Sequence, residues 1–150
     1  NGQNGTLTLY PGEGVGETWL GADGATITLQ SGRIKATRGM RNDVMGSSSS
    51  MPLWPDINDT SEYTRQISYL GGDNQTNSKT FSCIMKKQNK QSTITIFEVP
   101  FKTQEFLEVC ISTTGKLENS YFVDRKNIVR RSVQYHGPAL SYLTIERLDR

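Results

Sequence analysis

Histidine and cysteine are scarce in this chain, which has one His and two Cys among its 150 residues. So few ligands argue against a zinc finger or a histidine-rich metal cluster, and we predict no metal and no cofactor. No run of about 18 apolar residues occurs, so the sequence predicts no membrane-spanning helix. Charge is nearly balanced, with 17 Lys and Arg against 15 Asp and Glu. The resulting net charge of +2 is too small to indicate a nucleic-acid partner.

Alanine and leucine, which favour helices, number only 15, whereas valine, isoleucine and threonine number 33. Branching at Cβ restricts a side chain in a helix and suits the pleated surface of a sheet. The 14 Gly and 5 Pro supply turns between strands. We therefore expect one all-β domain over residues 1–150, an antiparallel meander curled into a barrel or sandwich, with few or no helices.

The clearest local pattern is a hairpin, in which strands at residues 25–30 and 33–38 flank a two-residue turn at Ser31-Gly32. A regular register puts four apolar residues on one face of this ribbon, paired as Leu29–Ile34 and Ile27–Ala36.

Residues 59–70 fit either a capped helix or a strand, and the β-rich context favours the strand. Further strand pairs are predicted at 80–87 and 92–99, at 105–112 and 117–123, and at 122–124 and 128–135, before a last strand within 140–148. The first of these pairs would turn at Asn89-Lys90, with Cys83, Met85, Ile94 and Ile96 on one face.

Residues 39–55 show no periodicity, and Ser47–Ser50 has the composition of a flexible tract. Leu53 and Trp54 follow it, between two prolines. They fit either a plug packed on the core, which is favoured because large aromatic side chains are usually buried, or a docking patch.

The two cysteines, Cys83 and Cys110, lie in predicted strands and fit either a disulfide or two buried free thiols. The only histidine, His136, ends a predicted strand and is interpreted as a surface or structural residue. No serine nucleophile elbow occurs, and no pair of carboxylates stands out as catalytic. The sequence therefore predicts no enzyme.

Basic residues cluster in three places, at 33–41, 86–90 and 125–131. Such runs usually form solvated faces. The alternative is that they contact an acidic polymer or lipid headgroups.

Two sets of motifs resemble a known family. The first comprises residues 19–24 (WLGADG), 29–34 (LQSGRI) and 37–40 (TRGM). The second comprises residues 119–124 (NSYFVD), 132–135 (SVQY) and 137–138 (GP), and Glu108-Val109-Cys110 lies between the two sets. Their order and spacing resemble the YjbF/GfcB family of group 4 capsule lipoproteins from about Trp19 to Leu148.

That resemblance implies a β-rich, non-catalytic domain in the periplasm of a Gram-negative bacterium, tethered to the outer membrane by an N-terminal lipid. The lipoprotein signal is absent from these 150 residues, and part of the N-terminal region could be absent too. A periplasmic setting is oxidising, so the resemblance also favours a Cys83–Cys110 disulfide.

The function implied is that of an accessory protein of capsule or exopolysaccharide export, with a polysaccharide or export-machine proteins as partners. The alternative is an enzyme acting on polysaccharide, either a glycoside hydrolase or a lyase. Because Trp and Arg often dominate binding energy, we predict contacts at Trp54, Arg33 and Arg38, and at Gln134 near the last turn.

Overall fold

The structure is a computed structural model that describes residues 4–12, 14 and 16–149. Eleven strands are described: β1 (Leu7–Tyr10), β2 (Glu17–Gly21), β3 (Thr26–Gln30), β4 (Arg33–Arg38), β5 (Val44–Ser49), β6 (Thr60–Leu70), β7 (Thr76–Ile96), β8 (Val99–Ser112), β9 (Gly115–Asp124), β10 (Val129–Gly137) and β11 (Ser141–Glu146). Every pairing between them is antiparallel.

The strands form two sheets, and each is a meander in chain order. One sheet contains β1 to β4, and the other contains β5 to β11 and curls into a half-barrel. The helical content of the described residues is a single 3₁₀ turn at Trp54–Asp56. In that part of the chain, no helix has the length and apolarity to cross a membrane. The all-β prediction is confirmed.

The core lies between the small sheet and the concave face of the half-barrel. The small sheet contributes Ile27, Leu29 and Ile34, and the half-barrel contributes residues such as Met85, Phe106 and Tyr121. Burial alternates along the strands, as the period of two in a sheet requires. This packing fixes where the polar groups described below meet.

The hairpin of β3 and β4 confirms the turn at Ser31-Gly32, whose φ angles of 50° and 77° fit a two-residue type I′ turn. The pairing of Leu29 with Ile34 is also confirmed. The predicted pair Ile27–Ala36 is wrong, because a β-bulge shifts the register and puts Thr37 opposite Ile27. Thr37 is 1% exposed, so the bulge turns a hydroxyl into the core.

The longest strand, β7, corrects the predicted turn at Asn89-Lys90. The chain runs through these residues in one strand and turns at Phe97-Glu98. An irregularity of register between Lys87 and Gln91 replaces the turn. Met85 and Ile94 are both buried, but they pair with Glu108 and Phe101, which lie an odd number of positions apart on β8. The core cluster contains Cys83 and Met85 and not Ile94 or Ile96, so the predicted shared face of these four residues is wrong.

The serine tract is not a flexible loop. Ser47–Ser49 belongs to β5, whose backbone pairs with β6. The segment 60–70 is a strand, as favoured, rather than a helix. The strand pairs predicted after residue 104 and the final strand are confirmed within a few residues.

The cysteines form a disulfide between directly opposed positions of β7 and β8, which confirms the favoured interpretation. The bond closes a segment with a sequence separation of 27. In the loop-entropy model, a disulfide that restricts the unfolded chain in this way adds about 3–4 kcal/mol to the free energy of unfolding. The bond therefore stabilises the middle of the half-barrel.

Candidate functional site

A buried charged network lies at the centre of the half-barrel. Glu108 is 0% exposed, and its side chain projects inward from β8 between Phe106 and Cys110, which share its face of the strand. Arg65 projects inward from β6 in the same way, and its Nη1 lies 3.0 Å from Glu108 Oε1. A buried ion pair of this kind persists only when its remaining polar atoms are also hydrogen-bonded.

Those remaining atoms have partners from three neighbouring strands. Glu108 accepts hydrogen bonds from the Asn119 amide at 2.7 Å, from the Tyr121 hydroxyl at 3.0 Å, and from the Tyr63 hydroxyl. Arg65 also donates to the backbone carbonyl of Ile34 at 3.4 Å, which belongs to the small sheet. The network therefore connects the two sheets through charge-assisted hydrogen bonds.

The ionisation of this network follows from its contacts. Burial alone would raise the pKa of Glu108, but the charge of Arg65 and the hydrogen bonds from Tyr63 and Asn119 outweigh it and lower that pKa. Burial, together with the Glu108 charge, raises the pKa of both Tyr63 and Tyr121. The carboxylate therefore stays ionised and the phenols stay neutral, which suits a structural role and not proton transfer at neutral pH.

Gln134 attaches the β3–β4 hairpin to β10. Its Oε1 accepts from the backbone N–H of Ile34 at 2.9 Å, and its amide nitrogen donates to the Gly32 carbonyl at 2.9 Å. At Gly32, a Cβ atom would lie 2.2 Å from a methyl carbon of Val129. Glycine is thus required both by the positive φ of the turn and by this close approach.

A second polar cluster joins His136 of β10 to β4. The Thr37 hydroxyl donates to Asp43 at 2.9 Å, so it can only accept from His136 Nε2, 3.0 Å away. His136 therefore carries a proton on Nε2, and its Nδ1 has no hydrogen-bond partner among the described residues. Burial lowers the pKa of His136, against an opposing effect of Asp43. The histidine is structural, and the expectation that it could lie at the surface is wrong.

The strands β4 and β5 belong to different sheets and lie side by side. At one end, Arg38 donates to the carbonyls of Val44 and Met45 on β5. Toward the other end an open cleft of about 130 Å³ separates them, which we call the β4–β5 cleft. Its lining residues are Gln30, Ser31, Arg33, Ile34, Lys35, Ser47, Ser49, Met51, Pro52, Leu53 and Arg65.

The lining of the β4–β5 cleft is cationic on one side and apolar on the other. Arg33, Lys35 and Arg65 supply the cations, and no Asp or Glu is among the lining residues. Of the three, Arg65 is neutralised by Glu108 beneath it. Leu53, on the apolar side, is 65% exposed. Among the described residues, this cleft combines two cations that form no ion pair with exposed hydroxyl and apolar groups, which makes it the candidate binding site.

The structure separates the four residues predicted as contacts. Arg33 lines the β4–β5 cleft. Arg38 is exposed but uses its guanidinium to join β4 to β5. Trp54 is 5% exposed, packs against Phe106 and Tyr121 with ring centroids 5.2 Å away, and donates to the Ser31 carbonyl. Trp54 and Gln134 are thus core residues, the first as the plug that was favoured.

Glu108 and Arg65 were not predicted to be the centre of a network. The signal was nevertheless present, because each charged residue takes an inward position in an otherwise apolar alternation. A charge at such a position is rarely tolerated unless it is paired. One acid and one base in this setting therefore indicate a buried ion pair.

Cys83, Glu108 and Cys110 bring their side-chain ligand atoms within 4.8 Å of one another. The two sulfurs are bonded to each other, so neither is a thiolate, and Glu108 is engaged by four donors. This cluster therefore does not have the chemistry of a metal site.

The fold and its polar network define a class: an all-β protein in which a small sheet is connected to a half-barrel by buried charged and amide groups. The family model "Group 4 capsule polysaccharide lipoprotein gfcB, YjbF" matches residues 2–148. The chain belongs to that family, as the sequence motifs predicted. Lipoproteins are anchored in membranes of the bacterial envelope, and this family is not described as enzymes.

A solved structure supports the same assignment. The hypothetical lipoprotein YmcC from Escherichia coli (K12) superposes with a TM-score of 0.82 and is 25% identical in sequence. The match covers 97% of this chain and 81% of that chain. No curated protein sequence matches this chain.

Proposed function

We propose that this protein is a non-catalytic accessory protein of capsule or exopolysaccharide export, which acts by binding glycan or proteins of the export machine. The observation that carries the proposal is the family match across residues 2–148. The similarity to an Escherichia coli lipoprotein over 97% of the chain supports it. A protein with this role acts in the periplasm of a Gram-negative bacterium, associated with the outer membrane through an N-terminal lipid.

The geometry favours binding over catalysis. A glycoside hydrolase of the common type needs two carboxyl groups, roughly 5–10 Å apart, that flank the sugar in a groove. The β4–β5 cleft has no carboxylate among its lining residues. The buried Glu108 is saturated with hydrogen bonds, and its lowered pKa opposes a role as an acid at neutral pH. No observation favours the alternative of a polysaccharide-acting enzyme.

Gene deletion tests the proposal. We expect a deletion strain to lose capsular or secreted polysaccharide under conditions that induce its synthesis, as measured by total carbohydrate in the cell-surface and medium fractions. The wild-type gene on a plasmid should restore the polysaccharide. Unchanged polysaccharide in both fractions of the deletion strain would contradict the proposal.

A further inference from the structure

The cations of the β4–β5 cleft have no acidic partners. The Arg33 guanidinium donates from Nη1 to the Ser49 hydroxyl at 3.1 Å, and Lys35 Nζ donates to the Gln30 amide oxygen at 3.1 Å. Both acceptors are neutral, so neither cation has a direct acidic partner, although the Arg33 charge also acts at a distance on Glu108 and helps to lower its pKa. Among the described residues, Arg33 and Lys35 make no ion pair, whereas Arg130, Arg131 and Arg147 each have an acidic partner.

Arg33 also has unused hydrogen-bonding capacity. Its Nε atom is shielded from solvent and has no hydrogen-bond partner among the described residues. A buried N–H without a partner is destabilising. A ligand in the cleft reaches this Nε only if the side chain shifts, because solvent does not reach the atom. The accessible part of the guanidinium can donate to a carboxylate oxygen, and such a contact would neutralise the charge.

The backbone that carries these cations is held rigidly. Ile34 lies between Arg33 and Lys35, is 4% exposed, and has its N–H bonded to Gln134 and its carbonyl bonded to Arg65. Trp54 fixes the adjacent turn through the Ser31 carbonyl. This backbone is already ordered before a ligand binds. Binding therefore costs little backbone entropy.

The opposite wall fits a sugar rather than a simple anion. Ser47 and Ser49 offer hydroxyl groups, while Pro52 and Leu53 offer apolar surface. A pyranose ring has hydroxyl groups at its edge and C–H groups on its face, so it can use both. The cleft volume of about 130 Å³ is below the roughly 300–1,000 Å³ of sites that enclose a drug-sized ligand. An open cleft of this size suits one unit of a longer chain.

We propose, building on the proposed function, that the β4–β5 cleft binds a carboxylate-bearing sugar unit of an acidic polysaccharide, with Arg33 and Lys35 as the contacts to the carboxylate. Arg65 also lines the cleft, but it forms an ion pair with Glu108 and therefore adds little net charge to the site. The ligand class is a uronic acid or an equivalent acidic sugar within a polymer.

The test is calorimetric titration of the purified protein with a short oligogalacturonate. Its methyl ester, which has the same rings without the charge, is the matched ligand control. The variant R33Q/K35Q removes both cations from the cleft. The matched protein control is R125Q/K126Q, which removes an Arg and a Lys from an exposed turn.

We expect the oligogalacturonate to bind the wild type and R125Q/K126Q equally, and to bind R33Q/K35Q at least about tenfold more weakly. The methyl ester should not bind, and binding should weaken as salt rises because the charges are screened. If R33Q/K35Q loses its cooperative thermal transition, K35E replaces it. The Lys35 side chain is hydrogen-bonded only to Gln30 among the described residues, so K35E should keep the fold and lose binding.

Three results would overturn the inference: no binding of oligogalacturonate to the wild type, equal binding to both double variants, or equal binding of the methyl ester. Recruitment to phosphatidylglycerol vesicles through Arg33 and Lys35, without oligogalacturonate binding, would reassign the cleft to lipid headgroups and also overturn it. In any of these cases, a deletion strain that still loses polysaccharide would leave the proposed function standing. An unaffected deletion strain would instead contradict the proposed function.

Discussion

Replacing Glu108 by glutamine removes one charge from the core and little else. Glutamine has the shape of glutamate, so its oxygen can still accept from Arg65, Asn119 and Tyr121 at the distances described. Its NH₂ group can donate to Tyr63, whose hydroxyl then acts as acceptor. The substitution therefore keeps the packing and leaves Arg65, which is 5% exposed, as an uncompensated buried cation.

Breaking a buried ion pair in this way costs about 3–5 kcal/mol. Small domains have a total stability of roughly 5–15 kcal/mol, so E108Q should lose a large part of its free energy of unfolding. Equilibrium unfolding in urea at pH 7, followed by tryptophan fluorescence, measures this loss. Trp54 packs against Tyr121 of the network and therefore reports on the affected region.

Two further variants make the result specific. R65M/E108Q removes both charges, so it should be more stable than the sum of the single-variant effects predicts. E118Q removes an exposed carboxylate of β9, paired with Lys116 at the surface, and should change stability by less than about 1 kcal/mol. A loss below about 1 kcal/mol for E108Q, or additive effects of R65M and E108Q, would refute the reasoning.

Three other predictions follow from the core and the turns. Trp54→Ala should reduce the free energy of unfolding by about 3–5 kcal/mol in the same urea assay; an unchanged value would show that Trp54 is not a core plug. The pKa of His136 is lowered in the folded state relative to about 6.5 in the unfolded chain. The unfolded chain therefore binds more protons in this range, so the free energy of unfolding should fall as the pH is lowered from about 7.5 toward 5.5. His136→Asn should flatten that slope, and a slope that persists in this variant would contradict the assignment. Phe97 and Glu98 have positive φ angles of 44° and 67°, so F97N/E98G should raise stability by about 1–2 kcal/mol, whereas a lower thermal midpoint would show that the turn is not strained.

The sequence predicted the fold class and most strand pairs because alternation and turn residues are local signals. Ser31-Gly32 supplies a glycine for one of the two positive φ angles of the turn that it forms. The turn at Phe97-Glu98 has no such signature, and the polar stretch around Asn89-Lys90 resembles a turn more closely. The long pairing of β7 with β8 overrides that local preference. Ser47–Ser49 forms a strand for the same reason. Its composition does not favour a strand, but its backbone hydrogen bonds to β6 stabilise one.

The candidate site was predicted only in part. Arg33 was identified because arginine often dominates binding energy. Outside the site, the Cys83–Cys110 bond was identified from the even number of cysteines and the family resemblance. The cleft beside Arg33 could not be predicted, because one of its walls is β5, a strand that was not expected from the sequence. The network around Glu108 could not be predicted either. The hydrogen-bond donors to Glu108 lie on β6 and β9, so they meet only because of the strand order and the register of the sheet.

The hydrogen bond between Ile34 and Gln134 spans 100 positions of sequence, which has a consequence for the order of folding. The β3–β4 hairpin and the β7–β8 pair are both made of neighbouring segments, so they can form early. The hydrogen bonds that attach the hairpin to Gln134 cannot form until β10 has joined the half-barrel, because this side chain belongs to that strand. The hairpin is therefore completed in its final place only after most of the half-barrel has been synthesised. Until the half-barrel has formed, the apolar face of the small sheet stays exposed, and this is the interval in which a chaperone would protect the chain from aggregation.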